Sequence, residues 1–246
     1  NGNKYALKAI ENGCSYAIID DKKYQIHPNT ILVKNVLETL QKLATYHRKQ
    51  LNIPVIGITG TNGKTTSKEL INNVLSTELE TYATEGNLNN HIGVPLSILK
   101  ITKDTDIGII EMGANDLNEI EFLCGIAQPT HAAITNIGLA HLKGFSSLEG
   151  VIKTKNELYK YIQKSKGYAF VNNNDNLLLK LAKEIKHTTY GKDGITNAKI
   201  LSKIPFINIE YKNQLIKSNL MGSYQFENIM LAVCIGSYFN ISLKNI

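Results

Sequence analysis

The 246-residue sequence has no tryptophan, only five prolines and three methionines, and three cysteines. Cys14, Cys124 and Cys234 are odd in number, far apart and set in apolar stretches. That pattern excludes a disulfide frame or a cysteine-rich metal knuckle and predicts reduced core thiols of a cytosolic protein. No apolar run approaches the ~18 residues of a membrane-crossing helix. The opening NGNKYALKAIENG lacks the order of a signal peptide. The expectation is a cytoplasmic protein without membrane insertion. Blocks of like charge are missing as well: 27 Lys and Arg are interleaved with 21 Asp and Glu, for a net charge of +6. This argues against a nucleic-acid-binding tail. It fits a solvated lysine-rich surface and is compatible with an anionic small molecule such as a nucleotide. Internal repeats and low-complexity segments are lacking.

An apolar content of 43% over this length supports one large domain or a domain and a half. Residues 4 to 12 have helical spacing and run to Gly13; CSYAII (14 to 19) and TILV (30 to 33) read as strands. A helix is predicted over 35 to 50, with Val36, Leu37, Leu40, Leu43, Ala44 and His47 on one stripe. From Pro54 the pattern repeats as strand, loop and helix: VIGIT, KTTSKELINNVLST, TYAT, IGVPLSILK, DIGIIEM, THAAITN. YAFVN and the segment near His187 to Tyr190 continue it. Apolar strands alternating with helices predict an α/β fold, a doubly wound, mostly parallel sheet with helices on both faces. Two alternating runs flanking Lys212-Asn213 predict a late antiparallel hairpin, and a last helix is expected over about 225 to 238.

The sharpest motif is VIGITGTNGKTTSKEL, residues 55 to 70. A β-branched strand enters a glycine-rich loop, and a lysine followed by hydroxyl residues opens a helix, as in a phosphate-binding P-loop. Backbone N–H groups over Gly60, Thr61, Asn62, Gly63 and Lys64 would wrap a phosphate chain, with Thr66 just inside the helix. The helix N-terminus adds partial positive charge, the Lys64 ammonium reaches the outer phosphates, and Thr65 is a candidate Mg²⁺ ligand. The spacing departs from G-x-x-x-x-G-K-[ST], which wants glycine at Ile58. Glu111 ends the apolar strand IGIIE at the carboxyl edge, where open α/β sheets place ligands and where a carboxylate can hold Mg²⁺. Alone, such an acid more often caps its own turn, here with Asn115; beside a phosphate loop the metal role is favoured.

GITGTNGKTT resembles the nucleotide loop of the Mur ligase family, and EGNLNNHIGVPLSIL, EMGAN and NIGLAHLKGFSSLEGVIKTKNELY are similar to segments of its branch that handles D-alanyl-D-alanine. The resemblance covers nearly the whole chain. It implies residues 1 to 50 as the end of an N-terminal UDP-substrate domain with its connecting helix, residues 51 to 246 as the central ATP-binding domain, and a C-terminal ligase domain absent from the chain, so that the chain alone would bind nucleotide but not complete ligation. The implied reaction is ATP-dependent amide formation between UDP-N-acetylmuramoyl-tripeptide and D-alanyl-D-alanine through an acyl phosphate, in peptidoglycan precursor synthesis, by a monomer. ATP and Mg²⁺ are the implied cofactors. The resemblance further implies that His141 and a carbamylated Lys155 ligate a second Mg²⁺, that Asn87, Asn89 and Asn90 face the γ-phosphate and the incoming carboxylate, and that Asn228 in GSYQFENIMLA meets the adenine. Tyr224 and Gln225 stand where the family commonly has histidine and asparagine. Lys64, Lys155, His141 and Asn90 are thus the expected catalytic residues; Thr65, Glu111, His141 and Lys155 the expected metal ligands. A folylpolyglutamate synthase-like ligase or a non-catalytic nucleotide-binding module are the alternatives, and a GTPase is disfavoured by the lack of a guanine-reading N-K-x-D.

Overall fold

The computed structural model describes residues 2–138, 145 and 147–246, so His141 lies outside the described residues. A 3₁₀ turn, Gly2–Tyr5, leads into α1 (Ala6–Glu11). Strands β1 (Ala17–Ile19) and β2 (Thr30–Leu32) pair in parallel, shorter than the runs that predict them. Asn35 then caps α2 (Val36–Gln50), its side chain accepting the Glu38 N–H.

The centre of the molecule is a six-stranded parallel sheet. It comprises β3 (Val55–Thr59), β4 (Thr81–Ala83), β5 (Ile107–Glu111), β6 (His131–Ile134), β7 (Tyr168–Asn172) and β8 (Lys186–Tyr190), in the order β4-β5-β3-β6-β7-β8. Every ladder in it is parallel. Alternate residues of β3 serve opposite cores: Val55 joins one apolar cluster, Ile56 and Ile58 the other. On the first face pack α2, α4 (Gly93–Lys100), α5 (Glu119–Ala127) and α6 (Leu148–Ser165), through Ala44, Ile98, Leu123, Leu158 and their neighbours. On the second pack α3 (Lys64–Leu75) and, after the short α7 (Asn176–Leu181), the helix α8 (Gln225–Tyr238). Both faces are covered, which is why the central strands β3 and β5 read as continuous apolar runs.

Lys212 and Asn213, both at positive φ, close a two-residue turn between β10 (Asn208–Tyr211) and β11 (Gln214–Lys217). The hairpin is as expected, and β9 (Lys199–Ser202) extends it to three antiparallel strands. Helices α5 and α7 are also additions to the sequence reading. Two other expectations fail. Cys14 is exposed just past the end of α1, whereas Cys124 and Cys234 are buried free thiols. Leu43 is exposed on α2, while Arg48 is buried, its guanidinium donating to the carbonyls of Ala127, Leu51, Ile53 and Gln128. A stripe drawn from apolar residues alone misses an arginine whose guanidinium is matched by four backbone carbonyls.

Candidate nucleotide site

Strand β3 delivers the chain to Gly60 at the carboxyl edge of the sheet. A Cβ on Gly60 would run into the Thr135 hydroxyl, and Gly63 sits at φ +78 against the Asn228 amide, so neither position accepts a side chain. The loop is held from the end of β6. The Thr61 N–H donates to the Asn136 carbonyl, the Asn62 N–H to Asn136 Oδ1, and Asn136 Nδ2 and the Thr135 hydroxyl donate to the Asn62 carbonyl. Gly63 is the N-cap of α3 and offers no side-chain cap. The first N–H groups of α3 therefore face the loop bare, a ready anion site. Lys64 Nζ donates to the carbonyls of Gly60 (2.8 Å) and Thr61 (3.0 Å). Burial lowers its pKa, against the opposing charge of Glu111.

Two cavities flank this loop. The first, of about 420 Å³, is walled by Gly60, Thr61 and Lys64 on one side and by Asn89, Asn90, Gly113, Phe122, Phe145 and Lys155 on the others. Lys155 is buried on α6, with its ammonium 5.7 Å from the centre of the Phe145 ring. Desolvation, and after it the charge of Lys64, pulls its pKa down to about 8, against the weaker pull of Glu119 and Glu157. The second cavity, of about 800 Å³, begins at Asn62 and Gly63 and is lined by amides and carboxylates: Asn136, Asn172, Asn174, Asp175, Glu227 and Asn228, with the exposed Tyr224 at its edge.

Glu111 is buried at the end of β5. Its Oε1 accepts from Asn89 Nδ2 (2.8 Å), and its N–H donates to the Thr84 hydroxyl. Its Oε2 is buried with no hydrogen-bond partner among the described residues. An orphaned carboxylate oxygen beside a phosphate loop fits a hard cation such as Mg²⁺. Among the described residues no three His, Cys, Asp or Glu side chains converge. A cation there would take its other ligands from hydroxyls, phosphates and water. Asn90 commits its amide oxygen to the N–H groups of Ile92 and Gly93 at the start of α4, which leaves its NH₂ to offer to the cavity. Thr65 is exposed in the first turn of α3, and Asn87 is exposed; neither walls the two cavities. Asn228 reaches the loop, with its amide taken by the Ser67 hydroxyl and Gln225 Oε1.

Sequence reasoning missed two buried residues that brace the site from outside the walls of the first cavity. The N-cap of α5, Asn118, is left-handed and provides no side-chain cap. Glu157 of α6 does so instead, its two oxygens accepting the N–H groups of Asn118 and Glu121 at 2.9 Å each. Burial raises the Glu157 carboxyl above the usual carboxylate range, and these bonds work against that. The other is Lys68, fully buried in the second turn of α3. Only its place four residues after Lys64 hinted at it.

A parallel sheet whose central strand feeds a glycine loop into a bare helix N-terminus, with a buried carboxylate ending the neighbouring strand, defines an α/β phosphate-loop domain. Comparison with known proteins narrows this. Residues 58–236 match the model of the Mur ligase middle domain. The UDP-N-acetylmuramoyl-tripeptide–D-alanyl-D-alanine ligase of Bacillus subtilis is 33% identical over 98% of this chain and 54% of its own length. Among solved structures, MurF from Acinetobacter baumannii superposes with a TM-score of 0.84 at 30% identity, over 99% of this chain and 55% of that one. MurF ligase from Thermotoga maritima in complex with ADP superposes at 0.82 and 30% identity, over 99% and 59%. The chain belongs to the Mur ligase family, and it spans about half the length of the relatives it matches.

Proposed function

We propose that the chain binds MgATP at the loop from Gly60 to Lys64, and that the protein carrying it is an ATP-dependent ligase of the cytoplasm that joins D-alanyl-D-alanine to UDP-N-acetylmuramoyl-tripeptide in peptidoglycan precursor synthesis. The observation that carries this reading is the bare N-terminus of α3 set between two unlike cavities. Phosphates belong at the helix end, a neutral base in the amide-lined cavity, and the reacting carboxylate in the cavity holding Lys64 and Lys155. The names of the Bacillus subtilis and Thermotoga maritima relatives point to the same substrates and nucleotide. In this reading residues 1–50 end an N-terminal domain for the UDP substrate.

Lys64 and the α3 N–H groups hold the outer phosphates in line with the acceptor carboxylate. The carboxylate attacks the γ-phosphorus, ADP leaves, and the amine of D-alanyl-D-alanine displaces phosphate from the acyl phosphate. Mg²⁺, when bound, neutralises the charge that develops on the transferring phosphoryl group. Glu111, with Thr65 in the first turn of α3, would hold one such ion. Lys155 suits a carbamate: with a pKa of about 8, roughly a tenth of its amine is neutral at pH 7. That amine attacks CO₂, its proton passes to solvent, and a long-armed carboxylate results, which with His141 would hold a second ion.

Titration calorimetry of the chain with MgATP, wild type against Lys64→Ala, tests the nucleotide site; equal affinities would overturn it. Phosphate release by the protein carrying the chain, dependent on both the tripeptide and D-alanyl-D-alanine, tests the reaction. Its absence would leave a nucleotide-binding module in place of the ligase.

A further inference from the structure

Lys68 is buried to 0% exposure, a rare state for a lysine, since an ammonium taken out of water is costly unless its protons are matched. It donates to the Thr84 carbonyl at 2.5 Å and lies 2.7 Å from Glu69 Oε1. An apolar side chain would fill the same space at lower cost. What it could not do is grip that carbonyl.

Thr84 follows β4 and is itself buried. Its N–H donates to the Ile109 carbonyl of β5 at 2.9 Å, and its hydroxyl accepts the Glu111 N–H at 3.0 Å. Three groups of one residue thus bind three things: the neighbouring strand, the acid at that strand's end, and a lysine on the phosphate-loop helix. Lys64 and Lys68 are one turn apart on α3, so a single rigid helix carries both the lysine that lies in the loop and the lysine that fixes the strand end opposite it.

We propose that Lys68 is a positioning residue: through Thr84 it holds the Glu111 carboxylate in register with the phosphate loop, where that carboxylate receives the cation of MgATP. The inference rests on the reading of the loop as a MgATP site. It treats the buried ammonium as part of the shell that orients a metal ligand, a shell whose loss commonly lowers metal affinity 10- to 100-fold.

The test is titration calorimetry of ATP in Mg²⁺ and in EDTA, on wild type, Lys68→Met, Glu111→Gln and the double variant, with circular dichroism to confirm folding. The quantity read is the gain in ATP affinity that Mg²⁺ confers. Lys68→Met is expected to cut that gain about tenfold, to leave affinity in EDTA within about twofold, and to cost nothing further in the Glu111→Gln background. Equal losses with and without Mg²⁺ would mean that the ammonium acts directly on the phosphates, and would overturn the proposal. So would a loss that persists beside Glu111→Gln. If Lys68→Met does not fold, Lys68→Gln, neutral and one atom shorter, takes its place in the same cycle, with the same expectation and the same overturning results. A wild type that binds no ATP in either buffer overturns instead the nucleotide reading beneath it.

Discussion

The two cavities beside the phosphate loop are neighbours with opposite chemistry. One is walled by Lys64 and Lys155 and by the apolar rings of Phe122 and Phe145; the other has no lysine or arginine in its wall among the described residues and is lined chiefly by asparagine. Desolvated cations beside apolar surface suit a place where charge builds up and water is kept out. Amide groups, which donate and accept without charge, suit a neutral heterocycle. On the proposed reading, catalysis and nucleotide selection fall on opposite sides of a single glycine loop, and substitutions on the two sides should separate in what they disturb.

The largest expected effect lies on the charged side. Lys155→Met should reduce ligation by the protein carrying this chain at least about a thousandfold, because the proposed carbamate cannot form, while the affinity of the chain for ATP stays within about threefold. Rates from phosphate release set against calorimetric affinities measure this. A proportional fall in both would erase the distinction between the cavities.

The same variant should be more stable. Burial holds the folded-state pKa of Lys155 near 8, below the ordinary lysine value of 10.5, so between those values the unfolded chain binds more protons and stability rises with pH. Below pH 8 the full cost of the buried charge is present, up to about 3 kcal/mol. Urea unfolding in CO₂-free buffer at pH 7 and pH 10, where Lys155 remains a free amine, should show Lys155→Met gaining stability at the lower pH and losing the upward slope. A slope unchanged by the substitution would contradict the burial argument.

Next in size is Lys64→Ala on the loop between the cavities. Losing charge-assisted bonds to phosphate should weaken ATP binding by about 1.5–3 kcal/mol, roughly 10- to 150-fold, read by calorimetry. The smallest effect belongs to the amide-lined side. Asn228→Ala breaks the tie between α8 and α3 made through Ser67, and should cost about 1 kcal/mol in stability and less than about tenfold in ATP affinity. Competition between ATP and GTP would sharpen the comparison. Relaxed base preference in Asn228→Ala, with preference intact in Lys155→Met, is the expected outcome.

What the sequence made legible follows the range of the forces involved. The strands, the glycine loop, α3, α4, α6 and the hairpin turn are written in local patterns: apolar runs, glycines at positive φ, a capping residue. Helix α5 lacks that local signature, because its cap is Glu157, 39 residues from the Asn118 N–H it accepts. The exposure of Cys14 and Leu43 and the burial of Arg48 were illegible for a related reason, since each depends on what another element brings to that face. In the site, Lys64 and Glu111 could be singled out by residue type and place, Asn89 and Lys155 only through the family resemblance. That Glu111 keeps one oxygen unpaired among the described residues and that Lys68 holds the same strand end are facts of assembly, which no spacing rule carries.

The order of the sheet has a consequence for how the protein comes to exist at all. Strand β3, which carries the loop, has no sequence neighbour beside it: Ile56 lies opposite Ile109 on one side and His131 on the other. Neither ladder can close until those distant segments have been made and brought back, so the chain must be held open over long loops before its central strand is paired. As the chain emerges from a ribosome, the glycine loop is synthesised early and has no partner until β6 and Asn136 arrive. A nucleotide offered before then would meet a flexible tether in place of a socket, and ATP affinity should therefore appear only in nascent chains lengthened past α8, which brings Asn228 to the loop and Glu227 to the second cavity.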